Sequence, residues 1–244
     1  MSLLSPESHP PAGQPIVLAQ RRLRAVVFDM DGLMFNTEDL YDRVGEEMLR
    51  RRGLAFDLDL KLRMMGRTAN VAFQIMREAC GLTDSIDELK RENDQLFLQL
   101  LETQLEKLPG LDTLMDWVAQ RRLPLGLATS SRRFLAEYKL NRFGLTDRFQ
   151  RVVTGEDVTQ GKPAPEIYFK VAGLLGVASH ELLVFEDSVV GSTAAAAAGA
   201  FTVAVPGVHS QQLDYSHVDL VVPRLDDPQV AALFALDPAL RSQV

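Results

Sequence analysis

The stretch Leu23-Arg24-Ala25-Val26-Val27-Phe28-Asp29-Met30-Asp31-Gly32 decides how the rest of the chain is read. A short apolar run without polar alternation is what a strand buried on both faces looks like. This one stops on two carboxylates two residues apart. Burying such a pair is costly unless a cation, hydrogen-bond donors or solvent receive it. Loops often carry Asp-x-Asp-Gly, so the pair gains meaning only from what joins it.

Outward from this stretch, apolar runs recur at Pro124 to Ala128, Val152 to Val153, Leu182 to Phe185, Phe201 to Val205 and Val218 to Val222. Each is followed by a polar or glycine-containing turn and a helical pattern, which predicts an α/β fold with a Rossmann-like parallel sheet. Between the first two runs there are helical patterns and no strand. The spacing of Leu89, Leu96, Phe97, Leu100, Leu101, Leu105 and Leu108 predicts one amphipathic helix, broken by Pro109-Gly110. The expected organisation is a core of residues 21–36 and 107–244, a helical cap of residues 37–106 inserted after the first strand, and a flexible Pro-containing leader of residues 1–20. The run Ala194 to Ala198 reads as a helix packed close to the sheet, ended by Gly199 in the left-handed conformation.

Three more strand ends carry polar groups. Thr129-Ser130-Ser131 offers hydroxyls and free N–H groups at a helix start, where phosphate oxygens could be held, although alone it would pass for a helix cap. Gly161-Lys162-Pro163 presents a lysine in an extended segment, and Glu186-Asp187 adds two carboxylates. In a parallel sheet, Asp29, Asp31, Thr129, Glu186 and Asp187 share the carboxyl edge, where open α/β sheets bind ligands. Four acids would repel a phosphate dianion unless positive charge intervened. Oxygens from Asp29, Asp187, Glu186 directly or through water, and the Asp31 backbone carbonyl suit octahedral Mg²⁺, and Lys162 adds a second positive charge. Both could stabilise a phosphoryl group in transfer.

Composition narrows the class. Across 244 residues, 46% are hydrophobic and 24% charged, ordinary values for a globular protein with a sizeable core. A net charge of -7 without a basic cluster argues against a nucleic-acid partner, and no apolar run is long enough to span a bilayer, so a cytoplasmic location is expected. The single cysteine, Cys80, can form no internal disulfide and reads as a packed side chain. His9, His180, His209 and His217 have no ligand-like spacing.

Taken together, the four segments resemble the motifs of haloacid dehalogenase superfamily phosphotransferases, over a span from Arg24 to about Asp226. The helical insertion resembles the cap of the subfamily that contains β-phosphoglucomutase and many small-metabolite phosphatases. Phe28 to Leu33, Ala128 to Arg132 and Val184 to Asp187 look closest to pseudouridine-5'-phosphatase-like and sugar-phosphate phosphatase-like members.

The resemblance implies a Mg²⁺-dependent phosphatase acting on a small phosphorylated metabolite; for the oligomeric state a monomer is the default expectation. Asp29 would attack phosphorus, and Asp31 would protonate the leaving oxygen and then activate water. Thr129, Ser130 and Lys162 would hold the phosphoryl oxygens, Lys162 also steadying Asp29, while Asp29, Asp31, Glu186 and Asp187 anchor the metal. Asn36 stands where relatives often have aspartate. Tyr41, expected to pack within the cap, stands where the β-phosphoglucomutase pattern has histidine, which weakens the alternative of a phosphosugar mutase. A non-catalytic binding module is the other alternative, but it should lack one of the chemical groups that are all present here. Gly66-Arg67-Thr68 resembles a cap loop facing the active site, with Arg67 contacting a distal part of the substrate or else capping a helix.

If Arg67 makes that contact, Arg67→Ala loses a charge-assisted hydrogen bond worth ~1.5–3 kcal/mol, roughly a ten- to hundred-fold drop in kcat/KM on a substrate carrying the distal group. Parallel kinetics on p-nitrophenyl phosphate, which lacks that group, should show little change. Equal losses on both substrates would make the role structural.

Overall fold

A computed structural model of the chain describes residues 22–208 and 210–236; the expected leader, like His9 and His209, lies outside the described residues. Six strands form one sheet: β1 (Ala25–Phe28), β2 (Leu125–Ala128), β3 (Arg151–Val153), β4 (Leu182–Glu186), β5 (Phe201–Ala204) and β6 (Leu220–Val221). Their order is β3-β2-β1-β4-β5-β6, and every pair is parallel. The chain therefore steps outward from β1 to β3, returns to the other side of β1 with β4, and steps outward again. Loops leaving β1 and β4 diverge at that reversal and open the crevice in which α/β sheets take ligands.

Strand residues alternate between two cores, as a pleated strand requires. Val26, Phe28, Leu183 and Phe185 face the core shared with α5 (Leu111–Gln120) and α6 (Arg133–Arg142). Ala25, Val27, Leu182 and Val184 face α7 (Glu166–Leu175) and α8 (Val189–Ala197). The alanine run lets α8 lie close to the sheet, and Gly199, just past its end, has φ +80°. Helix α9 (Pro228–Leu236) closes the described chain. No helix among the described residues is long and apolar enough to cross a membrane.

Five helices intervene between β1 and β2, and the first four make up the insertion: α1 (Thr37–Arg50), α2 (Leu58–Met64), α3 (Ala69–Cys80) and α4 (Ile86–Gln104), followed by α5. Local sequence sets their ends. Asp57 caps α2 through the Leu60 N–H, left-handed Gly81 ends α3, and Ser85 with Glu88 forms a reciprocal capping box on α4. Cys80 is half-buried and packs against the core.

One boundary differs from expectation. Helix α4 stops at Gln104, so Leu105 and Leu108 lie beyond it, and Gly110, at φ 91°, starts α5 instead of breaking α4. The cause is a diversion of hydrogen bonds. The Gln104 carbonyl accepts from Asn36 Nδ2 at 3.0 Å, and the Leu108 N–H donates to the Met34 carbonyl at 2.9 Å. Asn36 Oδ1 also accepts from the Glu106 N–H at 2.9 Å, next to the antiparallel bridge between Phe35 and Lys107. Leu105 remains buried in its extended conformation, so the apolar spacing outruns the helix.

The loop between α2 and α3 rests on the strand loops. Ser130 Oγ donates to the Gly66 carbonyl at 2.9 Å. A methyl group at Gly161 would lie 2.6 Å from Thr68 Cγ2, closer than carbon atoms approach. Gly161→Ala should therefore wedge this loop away from the lysine-bearing segment and lower kcat/KM on p-nitrophenyl phosphate by roughly ten- to hundred-fold, the usual cost of an ångström-scale misplacement. Thr68→Ser removes the obstructing methyl and should recover much of the loss in the double variant. An unaffected Gly161→Ala enzyme would mean that the seam is not held this tightly.

Candidate active site

The register of the sheet assembles the site. Phe28 pairs with Phe185, and the Asp29 N–H donates to the Phe185 carbonyl at 3.0 Å, so Asp29 and Glu186 leave adjacent strands side by side. The Thr129 N–H donates to the Val153 carbonyl at 3.0 Å, which fixes Thr129 on the other flank of β1. Asp29, Thr129, Lys162, Glu186 and Asp187 are all buried.

Lys162 stands at the centre. Its Nζ donates to Asp29 Oδ1 at 2.5 Å, Glu186 Oε1 at 2.5 Å and the Ala128 carbonyl at 2.9 Å. Burial alone would favour the neutral amine, but Asp29 and Glu186 hold the ammonium well above the ordinary lysine range. Glu186 is engaged on both oxygens. Oε1 also accepts from the Tyr168 hydroxyl at 2.6 Å, and Oε2 accepts from Ser188 Oγ at 3.3 Å. Glycine is required behind it, since a methyl group at Gly191 would lie 2.0 Å from Glu186 Oε1.

Carboxylate oxygens of Asp29, Glu186 and Asp187 all come within 4.8 Å of one another. Burial pushes Asp29 up to about 7 against the pull of Lys162, with Glu186 and Asp31 adding to the rise. Asp187 is raised as well, by burial and then by Asp29 and Glu186. One ammonium does not balance this much buried negative charge, and a buried set of hard oxygen donors fits a small divalent cation. The side chain of Asp31 is outside this cluster.

Asp31 belongs to a second network. Lys139 Nζ donates to its Oδ1; Ser131 Oγ donates to Oδ2 at 2.6 Å, and Thr129 Oγ1 reaches Oδ2 at 3.3 Å. Burial would raise this carboxyl, but Lys139 and the hydroxyl donors outweigh it and hold Asp31 below the usual range.

Over the carboxylates lies a cavity of about 150 Å³ between the sheet edge and the helical insertion. Asp29, Asp31, Thr129, Ser130 and Asp187 line it from the core, and Glu38, Tyr41, Lys61, Arg67 and Asn93 from the insertion, where Met48, Phe73 and Met76 add an apolar wall. Arg67 lines the cavity, while its Nε donates to the Arg63 carbonyl at 2.9 Å, a bond that caps the last turn of α2. Tyr41 lines the cavity too, and packs as expected, its ring stacked on Phe97 at 4.1 Å. Lys61 is buried and paired with Asp42. Burial pushes Glu38 up to about 8 despite Lys61 nearby.

Sequence reasoning did not find Lys139, Tyr168, Lys61 or Glu38. For the first two a signal existed. Lys139 is four residues after Leu135 and three after Ala136, on the buried stripe of α6, and Tyr168 shares the buried face of α7 with Ile167, Val171 and Ala172.

Comparison with known proteins identifies the family. Residues 26–205 match the profile of the haloacid dehalogenase-like hydrolases. A phosphorylated carbohydrates phosphatase of Thermotoga maritima is 34% identical over 72% of this chain and 82% of its own length. (DL)-glycerol-3-phosphatase 2 of Arabidopsis thaliana is 36% identical over 80% of this chain and 83% of its own. The crystal structure of β-phosphoglucomutase from Clostridium difficile shares the fold, with a TM-score of 0.77 at 21% identity over 87% of this chain and 96% of that one. On the extent of the profile match and the identity to these phosphatases, the chain belongs to the haloacid dehalogenase-like hydrolases and is a phosphoric monoester hydrolase among them.

Proposed function

We propose that the enzyme hydrolyses phosphate monoesters of small polar metabolites, such as sugar, nucleoside or polyol phosphates, through an aspartyl-phosphate on Asp29 with the aid of Mg²⁺. The observation that carries this reading is the buried Asp29 carboxylate, pinned on one oxygen by Lys162 and opening onto a cavity of metabolite size. Asp29, Glu186 and Asp187 would hold the metal, which when bound supplies positive charge against the phosphoryl oxygens. The backbone carbonyl of Asp31 is the fourth ligand in this reading.

Lys162 turns the Asp29 carboxylate toward phosphorus and offers charge to an equatorial oxygen. Thr129 and the N–H groups that follow it, with Ser130, bind the remaining phosphoryl oxygens. Asp31 gives its proton to the departing oxygen and then takes one from the attacking water. Residues 37–106 act as a cap that excludes bulk water, and the described residues on either side of it form the core. Arg67, Lys61 and Asn93 face the leaving group, whose hydroxyls or charge they would read, against an apolar wall that receives its carbon skeleton. Tyr41 favours hydrolysis over a mutase. Burial above all keeps its hydroxyl well above the ordinary tyrosine range, so it is a poor proton relay at neutral pH.

A panel of sugar, nucleoside and polyol phosphates, ranked by kcat/KM, tests the substrate class; no turnover of any member with Mg²⁺ present would overturn it. Asp29→Asn preserves shape but removes the nucleophile, and is expected to abolish turnover with an unchanged circular dichroism spectrum. The metal reading has a separate thermodynamic signature. Asp29 and Glu38 have folded-state values of about 7 and about 8, above their ordinary 3.8 and 4.5. In metal-free protein their stabilising contribution is complete at acid pH and lost as pH rises toward 8. Mg²⁺ relieves the repulsion among the ionised groups, so the gain in Tm on adding it should grow between about pH 5 and pH 8. A gain independent of pH would count against metal binding by these carboxylates.

A further inference from the structure

None of the roles assigned above uses Lys139, although its side chain is wholly removed from solvent. A buried ammonium is expensive unless paired and hydrogen-bonded. Lys139 meets that condition by donating to Asp31 Oδ1 and, at 3.2 Å, to Ser131 Oγ. Its Nζ also lies 6.0 Å from the centre of the Phe97 ring, which comes from α4 of the helical insertion and carries Tyr41 stacked on it. The ammonium is thus held between a carboxylate of the core and an aromatic ring of the insertion, a favourable place for a cation. Ser131 grips the other Asp31 oxygen at 2.6 Å.

We propose that Lys139 is a positioning residue for proton transfer: with Ser131 it fixes the Asp31 carboxyl where the leaving oxygen must be protonated, and its contact with Phe97 links that placement to the seating of the insertion. The proposal rests on the reading of Asp31 as the proton-transfer group. In the first step an Asp29 oxygen bonds to phosphorus while the bond from phosphorus to the ester oxygen breaks. The resting Asp31 carboxyl is ionised, but the phosphoryl charge of the bound ester raises its proton affinity, so it takes up a proton with the substrate. The electron pair goes to the ester oxygen, which takes that proton from Asp31. In the second, Asp31 takes a proton from water as the water oxygen bonds to phosphorus and the bond to Asp29 breaks.

A misplaced Asp31 harms the first step only when the leaving oxygen needs a proton. Phenolate needs one; p-nitrophenolate departs without it. Because kcat/KM reports events up to the first irreversible step, Lys139→Met should lower kcat/KM on phenyl phosphate by roughly ten- to hundred-fold while p-nitrophenyl phosphate changes by less than about threefold. The kcat on both should fall, since water activation is shared. Equal loss of kcat/KM on the two substrates, or loss on neither, would overturn the proposal. If Lys139→Met does not fold, Ser131→Ala removes the other grip on Asp31 and must give the same split, with equal losses again fatal. Asp31→Asn, measured alongside, separates the two readings: if it still hydrolyses phenyl phosphate at the wild-type rate, the assignment of Asp31 fails, whereas an inactive Asp31→Asn with no split at Lys139 overturns only the positioning role.

Discussion

The ammonium of Lys162 is the contact on which the site depends. Asp29 and Glu186 emerge from adjacent parallel strands because the sheet register gives them no alternative, and Asp187 follows directly. In a dry environment such a group of carboxylates would take up protons or drive the loops apart. Lys162 bonds to two of them at once and to the Ala128 carbonyl at the end of the neighbouring strand, tying the loops after β1, β2 and β4 to one charge. Tyr168 and Ser188 complete Glu186, so the rear of the site is saturated and Asp29 is left facing the cavity.

The arrangement divides charge into two compartments that share a wall. Asp29, Glu186, Asp187 and Lys162 form one; Asp31, Lys139 and Ser131 form the other. Their carboxyls are pushed in opposite directions, Asp29 upward by burial and Asp31 downward by Lys139 in spite of burial. Two aspartates two residues apart thus acquire different surroundings from different neighbours, one set among carboxylates and the other against an ammonium.

Much of this was legible because parallel strands announce themselves as unbroken apolar runs, and because a functional loop follows a strand end in sequence as well as in space. Asp29, Thr129, Glu186 and Asp187 could all be located that way. Lys139 and Tyr168 could not, since they approach the site from helix faces and look like interruptions in an apolar stripe unless the stripe is charted first. The end of α4 was misjudged for a related reason. Apolar spacing records burial, not backbone hydrogen bonding, and Leu105 is buried whether the chain there is helical or extended.

Asn36 bonds to both sides of the chain that returns from the insertion, beside a bridge in which Phe35 faces Lys107. Everything between residues 36 and 106 therefore leaves the core and comes back through one narrow doorway, whose two jambs already run antiparallel. A different helical block, or a short hairpin turn, could be spliced across that doorway without altering the path of any strand. The core would keep the parts that act on phosphorus, while the block beyond the doorway could be exchanged as a cartridge, with selectivity changing hands at a single pair of junctions.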